Sequence, residues 1–252
     1  MKQWIRSIGK LKTHVETFLA AINFAWDELF DFRWKLIMKN SAPLKHDNNF
    51  TFAAFPLLGF AVGLAVALLS LAVSGIFNIN SGALVFAVLS WLILCFKDSG
   101  RGDCWLANFF LGKLQPSENH DLLRSILNLF PMMLKFIILL FIGLAGNMLC
   151  FPILLATAFA LQAALAGSDD CPVEFIPAGE NAMKFFRVTL IILGITGIIL
   201  CRVGCVAAIA AAFGLFFVFN KKMIREGFSA SAISSAGYIS EWTLLIVCLL
   251  FA

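Results

Sequence analysis

Long apolar stretches separated by short polar segments dominate the chain after residue 51. Most of them approach the roughly 20 apolar residues that a helix needs to cross the hydrocarbon core of a bilayer. The pattern predicts helices over the ranges 52–77, 83–96, 130–149, 151–166, 188–200, 203–219 and 242–252. We therefore predict an all-α fold, a polytopic transmembrane helical bundle of about seven spans, with residues 52–252 as the transmembrane domain.

Residues 1–51 form a separate cytosolic or interfacial segment in this prediction. Between Thr17 and Phe30 the apolar side chains follow helical spacing and fall mostly on one side. This pattern predicts an amphipathic helix that either lies in the membrane interface or packs on the bundle.

The composition points to the same class of protein. Of the 252 residues, 61% are hydrophobic and 13% are charged, whereas about 25% of the residues of a soluble domain are charged. These values exclude a disordered chain, a coiled coil and an ordinary cytosolic enzyme. The net charge of +4 is too small to indicate a nucleic-acid partner. The seven cysteines show no CxxC spacing, so we expect neither a zinc site nor a disulfide framework.

The placement of charge predicts an orientation. If the predicted helices pair as hairpins, 17 of the 19 Lys and Arg residues fall at one face, together with all 15 acidic residues. The positive-inside rule places this face and the N-terminus in the cytoplasm. We therefore predict a multi-pass protein of the cytoplasmic (inner) membrane. Lys135, near the start of the third predicted span, can snorkel to the same face, while Arg202 lies at an outer turn.

The predicted inner face carries the candidate chemistry. Asp98 and Asp103 enclose a glycine-containing turn just after the second predicted helix. Mg²⁺ prefers one or two carboxylates together with substrate phosphates. Backbone N–H groups at glycines can approach a phosphate, and Arg101 could clamp it. A solvated loop with a glycine turn is the competing interpretation of this segment.

Other polar residues of this face have structural alternatives. Asp121 begins an amphipathic stretch, where an acid in the first helical turn is favoured by the helix dipole. Lys221, Lys222 and Arg225 follow a predicted span, so their default role is orientation and phosphate binding is the alternative. Glu241 begins the last apolar stretch, as either a helix-terminal acid or a group facing the bundle interior. An acid at membrane depth is a functional candidate.

Four segments occur in the order found in a known enzyme family. Phe55 to Gly63 is similar to a Phe-Pro-(Leu/Val)-(Val/Ile)-Gly-x-x-x-Gly opening of the first span, and Lys97 to Asp103 sits where the family has His-x-Asp-Gly-x-x-Asp. Phe175 to Gly179 falls where the family has Tyr-Ala-Arg-x-x-Gly. Arg225 to Glu241 aligns without gaps on a Gly-x-Thr-Gly-Asp-x-x-Gly…Glu tail. Over roughly residues 50–250 the chain thus resembles the cobalamin-5′-phosphate synthase family, also called adenosylcobinamide-GDP ribazoletransferase.

The chain departs from the family pattern mainly at acidic positions. In an ungapped match Lys97 stands at the family histidine and Ser99 at its first aspartate, which Asp98 supplies only if one residue is inserted. Around Arg124 the family's Arg-Asp-Ser-x-x-Gly motif lacks its aspartate. In the tail, Ser231 stands at the position of an aspartate.

The resemblance implies an integral membrane transferase that uses Mg²⁺. Its substrates would be adenosylcobinamide-GDP and α-ribazole or its phosphate, and GMP would be released. In this family-like alignment Asp98 and Asp103 would bind the metal, and they would act in catalysis together with Asp121. The implied substrate-binding residues are Lys97, Gly100, Arg101, Gly102, Arg124, Arg225, Ser229, Ser231 and Glu241.

Two other interpretations remain open. The chain is either a catalytically degenerate relative that binds or scaffolds, or a small membrane transporter or complex subunit. Acids clustered at one face favour the transferase or its degenerate relative, because a transporter would sooner place polar groups at mid-span. The lipid bilayer is an expected partner in every case, and self-association into a homo-oligomer is left open by the sequence.

Overall fold

The computed structural model describes residues 15–22, 51–96, 120–166, 184–199, 209–210, 214 and 241–250. Within these ranges the chain is helical apart from short turns and contains no strand, which confirms the predicted all-α fold. We number the helices in chain order as α1 (15–22), α2 (Thr51–Ile76), α3 (Ile79–Phe96), α4 (His120–Leu144), α5 (Cys150–Ala166), α6 (184–199) and α7 (Glu241–Leu250).

The helices follow the apolar stretches of the sequence. The starts of α2 and α5 each lie within one residue of their predicted positions. The largest difference is at α4, which begins at His120 rather than at residue 130, because the polar stretch before the apolar run continues the same helix. Of the predicted helix over 203–219, the described residues 209, 210 and 214 are helical, and the others lie outside the described residues. The same holds for the predicted amphipathic helix after residue 22.

Two tight turns join the helices into antiparallel hairpins. Between α2 and α3, the Asn78 side chain accepts a hydrogen bond from the Ser81 N–H at 2.8 Å and caps the new helix. Between α4 and α5, Gly146 adopts a left-handed conformation with φ of 78°. There the N–H of Asn147 donates to the Ile142 carbonyl at 3.1 Å and that of Gly146 to the Gly143 carbonyl at 3.0 Å. These paired bonds form a Schellman motif, which satisfies two of the carbonyl groups at the end of α4.

Helices α2 and α5 pack closely through small residues. A Cβ atom added at Gly63 would lie 2.6 Å from the Pro152 Cα, and one added at Gly59 would lie 2.8 Å from the Leu155 carbonyl oxygen. Residues four apart share one helical face, so these two glycines allow the two backbones to touch. The Gly-x-x-x-Gly spacing of the sequence is therefore a packing motif of the kind common between membrane helices.

Similar close contacts join α3 to α4. A Cβ at Gly143 of α4 would lie 3.0 Å from the Ala83 Cα of α3. Further along the same pair, the Trp91 Nε1–H donates to the Met132 carbonyl at 2.9 Å, and the Trp91 and Phe136 rings meet edge to face. As α3 advances from residue 83 to residue 91, its partners on α4 move from residue 143 back to residue 132. The two helices are therefore antiparallel.

The antiparallel packing gives the bundle two different ends. The turns at Asn78 and Gly146 lie at one end, which we call the turn end. At the opposite end α2 begins at Thr51, α3 ends at Phe96, α4 begins at His120 and α5 ends at Ala166. We call this the open end. Helix α6 packs on α5 with a Cβ at Gly197 3.2 Å from Ile153.

Candidate functional site

Most of the residues predicted to form the site lie outside the described residues. These are Lys97, Asp98, Gly100, Arg101, Gly102, Asp103, Arg225, Ser229 and Ser231. Asp121 and Arg124 lie in the first two turns of α4. Helix α3 ends one residue before Lys97, at the open end where α4 begins. The arrangement of the helices therefore brings the attachment point of residues 97–103 to the same end of the bundle as Asp121 and Arg124.

The described part of the chain contains one buried pair of opposite charges, formed by Lys135 of α4 and Glu241 of α7. The Lys135 Nζ lies 2.8 Å from the Glu241 Oε1, and the two side chains are 2% and 4% exposed. The ring of Trp242 lies 5.7 Å from the same Nζ, close enough for a cation–π contact. The site thus combines a cation, its carboxylate partner and the face of an aromatic ring.

The pair lies deep within an apolar part of the bundle. Lys135 comes six residues after Leu129, where the apolar stretch of α4 begins. At 1.5 Å per residue this places its Cα about 9 Å along that stretch. Glu241 is the first described residue of α7, and its carboxylate meets the lysine inside the bundle. The lysine stabilises the charge of the carboxylate, and the tryptophan ring stabilises that of the lysine.

The structure bears on two predictions made from the sequence. The prediction that Lys135 snorkels to a membrane surface is wrong, because Lys135 is 1% exposed and points to Glu241 instead. A carboxylate available inside the bundle removes the reason for the lysine to reach for water. Glu241, for which the sequence left two interpretations, faces the bundle interior and is 3% exposed. Its role in substrate binding stays a prediction.

The pair is not apparent in the sequence because its members are more than a hundred positions apart. A signal was nevertheless present. A lysine within an apolar run has to find a partner or reach the membrane surface, since an unpaired charge at membrane depth is costly. An acid at the start of another apolar run is the natural candidate for that partner.

The magnesium site predicted from Asp98 and Asp103 falls outside the described residues. Among the residues that the structure does describe, no group of three or more His, Cys, Asp or Glu side chains could hold a metal ion. The metal therefore stays a prediction that rests on the sequence. Comparison with protein-family models, with curated proteins and with solved structures finds no match for this chain.

Proposed function

We propose that the chain is a polytopic integral membrane protein whose described helices lie within the bilayer. One helix, over Ala53–Ile76, is long and apolar enough to cross a membrane. Shorter apolar helices accompany it at Ile79–Cys95, Leu129–Leu144, Cys150–Leu161 and Glu241–Leu250. Length alone does not separate such helices from the core helices of a soluble protein, so the surface of the bundle decides the question.

That surface is the observation that carries the proposal. Large apolar side chains cover the outer faces of α4 and α6 over several turns, with exposed fractions between 42% and 75%. They are Leu129, Phe130, Met133, Ile137, Phe141 and Leu144 on α4, and Phe185, Val188, Ile191, Ile192, Ile195, Ile198 and Ile199 on α6. Water-soluble monomers rarely expose contiguous apolar patches of this extent. Lipid chains are the natural solvent for such faces.

Hydroxyl groups along the helices support the same setting. The side chains of Ser70, Ser74 and Thr157 each donate a hydrogen bond to the carbonyl four residues earlier, at 2.8–3.0 Å. Thr189 and Thr196 do the same on the exposed side of α6, at 2.9 Å. A hydroxyl bonded in this way needs no water, which the hydrocarbon core does not supply.

The orientation gives a direct test of the hairpin arrangement. Asn147 lies at the turn end, between α4 and α5, and Asp170 follows the end of α5 by a few residues. If α5 crosses the bilayer, reporter enzymes fused at Asn147 and at Asp170 are expected to report opposite sides of the membrane. The positive-inside rule predicts that the fusion at Asp170 is the cytosolic one. Two fusions on the same side would contradict the hairpin topology.

We further propose, on the sequence resemblance, that this membrane protein is a Mg²⁺-dependent transferase of the cobamide type. What supports the proposal is that the end of α3 and the start of α4 share the open end. Asp98 and Asp103 follow the first of these, and Asp121 lies at the second. A catalytically degenerate relative with the same fold is the main alternative.

The proposed reaction demands charge neutralisation more than covalent chemistry. A hydroxyl of α-ribazole would form a bond to the phosphate attached to cobinamide, while the bond from that phosphate to GMP breaks. Such phosphoryl transfer depends mainly on positioning and on electrostatic stabilisation of the phosphates. Carboxylates that hold Mg²⁺ and basic residues near the leaving GMP would provide both.

Asp103 is the residue on which the transferase proposal depends most. We expect Asp103→Asn to abolish Mg²⁺-dependent GMP release from adenosylcobinamide-GDP and α-ribazole, because an amide carries no charge for the metal. Activity would be measured in membranes with and without Mg²⁺. The amount of protein in the membrane should stay the same.

A matched control is Glu16→Gln, which neutralises an exposed acid on α1 and should leave GMP release unchanged. Normal turnover in Asp103→Asn would remove the proposed metal site. An inactive wild-type protein, with both substrates and Mg²⁺ present, would favour the degenerate relative.

A further inference from the structure

We propose that the Lys135–Glu241 pair is the docking element that holds the last helix, α7, inside the bundle at a fixed depth. The partner that this buried site recognises is thus a segment of the chain itself. The inference concerns assembly of the bundle and does not depend on which reaction the protein performs.

The weak attraction between apolar helices in lipid is the first reason. Apolar side chains gain little by leaving the hydrocarbon for another helix. The apolar side chains of α7 therefore do little to hold this helix at one depth in the bundle, whereas a contact between charged groups can.

The inward face of α7 identifies that interaction. Glu241, Leu244, Leu245 and Cys248 are all at most 7% exposed and recur at the spacing of one helical face, whereas Ile246 and Leu250 point outward. Leucine side chains along such a face would let α7 slide along the bundle at little cost. The carboxylate of Glu241, 2.8 Å from an ammonium group, resists such sliding, because any shift separates two charges in a poorly screening environment.

The pair also satisfies two charges that are costly to bury. The Lys135 ammonium group meets the Glu241 carboxylate at 2.8 Å where both side chains are shielded from water. The Trp242 ring adds a second contact to the same ammonium group. Docking of α7 therefore supplies a counter-charge to a lysine that lies within the apolar part of α4.

Cys248 of α7 is buried against the bundle, so its accessibility to a thiol reagent measures whether α7 is docked. In a full-length chain whose six other cysteines are replaced, the rate at which a membrane-permeant maleimide labels Cys248 reports undocking of α7 from the bundle. We expect Lys135→Met and Glu241→Gln each to raise this rate at least roughly tenfold, because removing one partner of a buried ion pair is strongly destabilising. The matched controls Lys184→Met and Glu16→Gln alter exposed charges and should label like the parent chain.

The decisive variant is the charge exchange, Lys135→Glu combined with Glu241→Lys. It restores an ion pair at the same place, with the two signs exchanged. We expect its labelling rate to fall well below that of either single variant. If the single variants fail to accumulate in the membrane, their labelling cannot be measured. The exchange variant should then accumulate in the membrane where the single variants do not. Single variants that label like the parent chain, or an exchange that labels or accumulates no better than they do, would overturn the proposal.

Discussion

Replacing Gly63 by leucine is expected to force α2 and α5 apart and to lower the melting temperature of the detergent-solubilised protein by about 10 °C. A Cβ atom at this position would lie 2.6 Å from the Pro152 Cα and 3.0 Å from the Pro152 nitrogen. Both are backbone atoms, so no side-chain rotation relieves the overlap. Overpacking costs about 1–3 kcal/mol, and 3 kcal/mol corresponds to roughly 10 °C in a chain of this size.

Gly75 on the same helix provides the matched control. No atom lies within 4 Å of a Cβ built there, so Gly75→Leu should leave the melting temperature unchanged or raise it slightly, since leucine favours helix more than glycine does. Gly63→Ala should give an intermediate loss, because the first side-chain carbon already meets the Pro152 backbone. Equal melting temperatures for Gly63→Leu and Gly75→Leu would contradict the close packing of α2 on α5.

The positions of the helices could be predicted from the sequence, whereas their contacts could not. An apolar run such as that of α2 has one physical explanation, burial away from water, so its limits are visible along the chain. Which of its faces meets another helix depends on residues far away. Gly59 and Gly63 match a family-like opening in the sequence, but only their distance from Pro152 and Leu155 shows why glycine is needed there.

The buried ion pair could not be predicted from the sequence for the same reason. Each member of the Lys135–Glu241 pair has a reasonable interpretation when considered alone: a lysine near a helix end can snorkel, and an acid can cap a helix. Neither interpretation reveals that the two residues are partners. Pairing is a property of the packed bundle, and local sequence patterns do not contain it. The candidate metal residues Asp98 and Asp103 stay predictions, as does the substrate chemistry.

The membrane setting gives a second prediction with a large effect. Ile191 lies near the middle of the described part of α6 and is 62% exposed. Its replacement by lysine on the surface of a water-soluble protein would change stability by no more than about 0.5 kcal/mol. At the centre of a membrane helix the same lysine costs about 2.5–3.5 kcal/mol, because its charge leaves water. We therefore expect Ile191→Lys to remove most of the protein from the fraction that resists alkaline extraction from membranes.

Two variants separate the effect of depth from that of substitution itself. Ile191→Leu keeps an apolar side chain of equal size and should integrate normally. Phe185→Lys places the same charge at an exposed position between Lys184 and Arg187, ahead of the apolar stretch over 188–200. A lysine there can reach the membrane surface, so most of the protein should still integrate. A soluble bundle predicts the opposite pattern, because both lysine variants would then replace exposed apolar groups and improve solubility without detergent. If Ile191→Lys gives a stable protein in detergent-free buffer, the exposed face of α6 is covered by something other than lipid, and the membrane proposal is wrong.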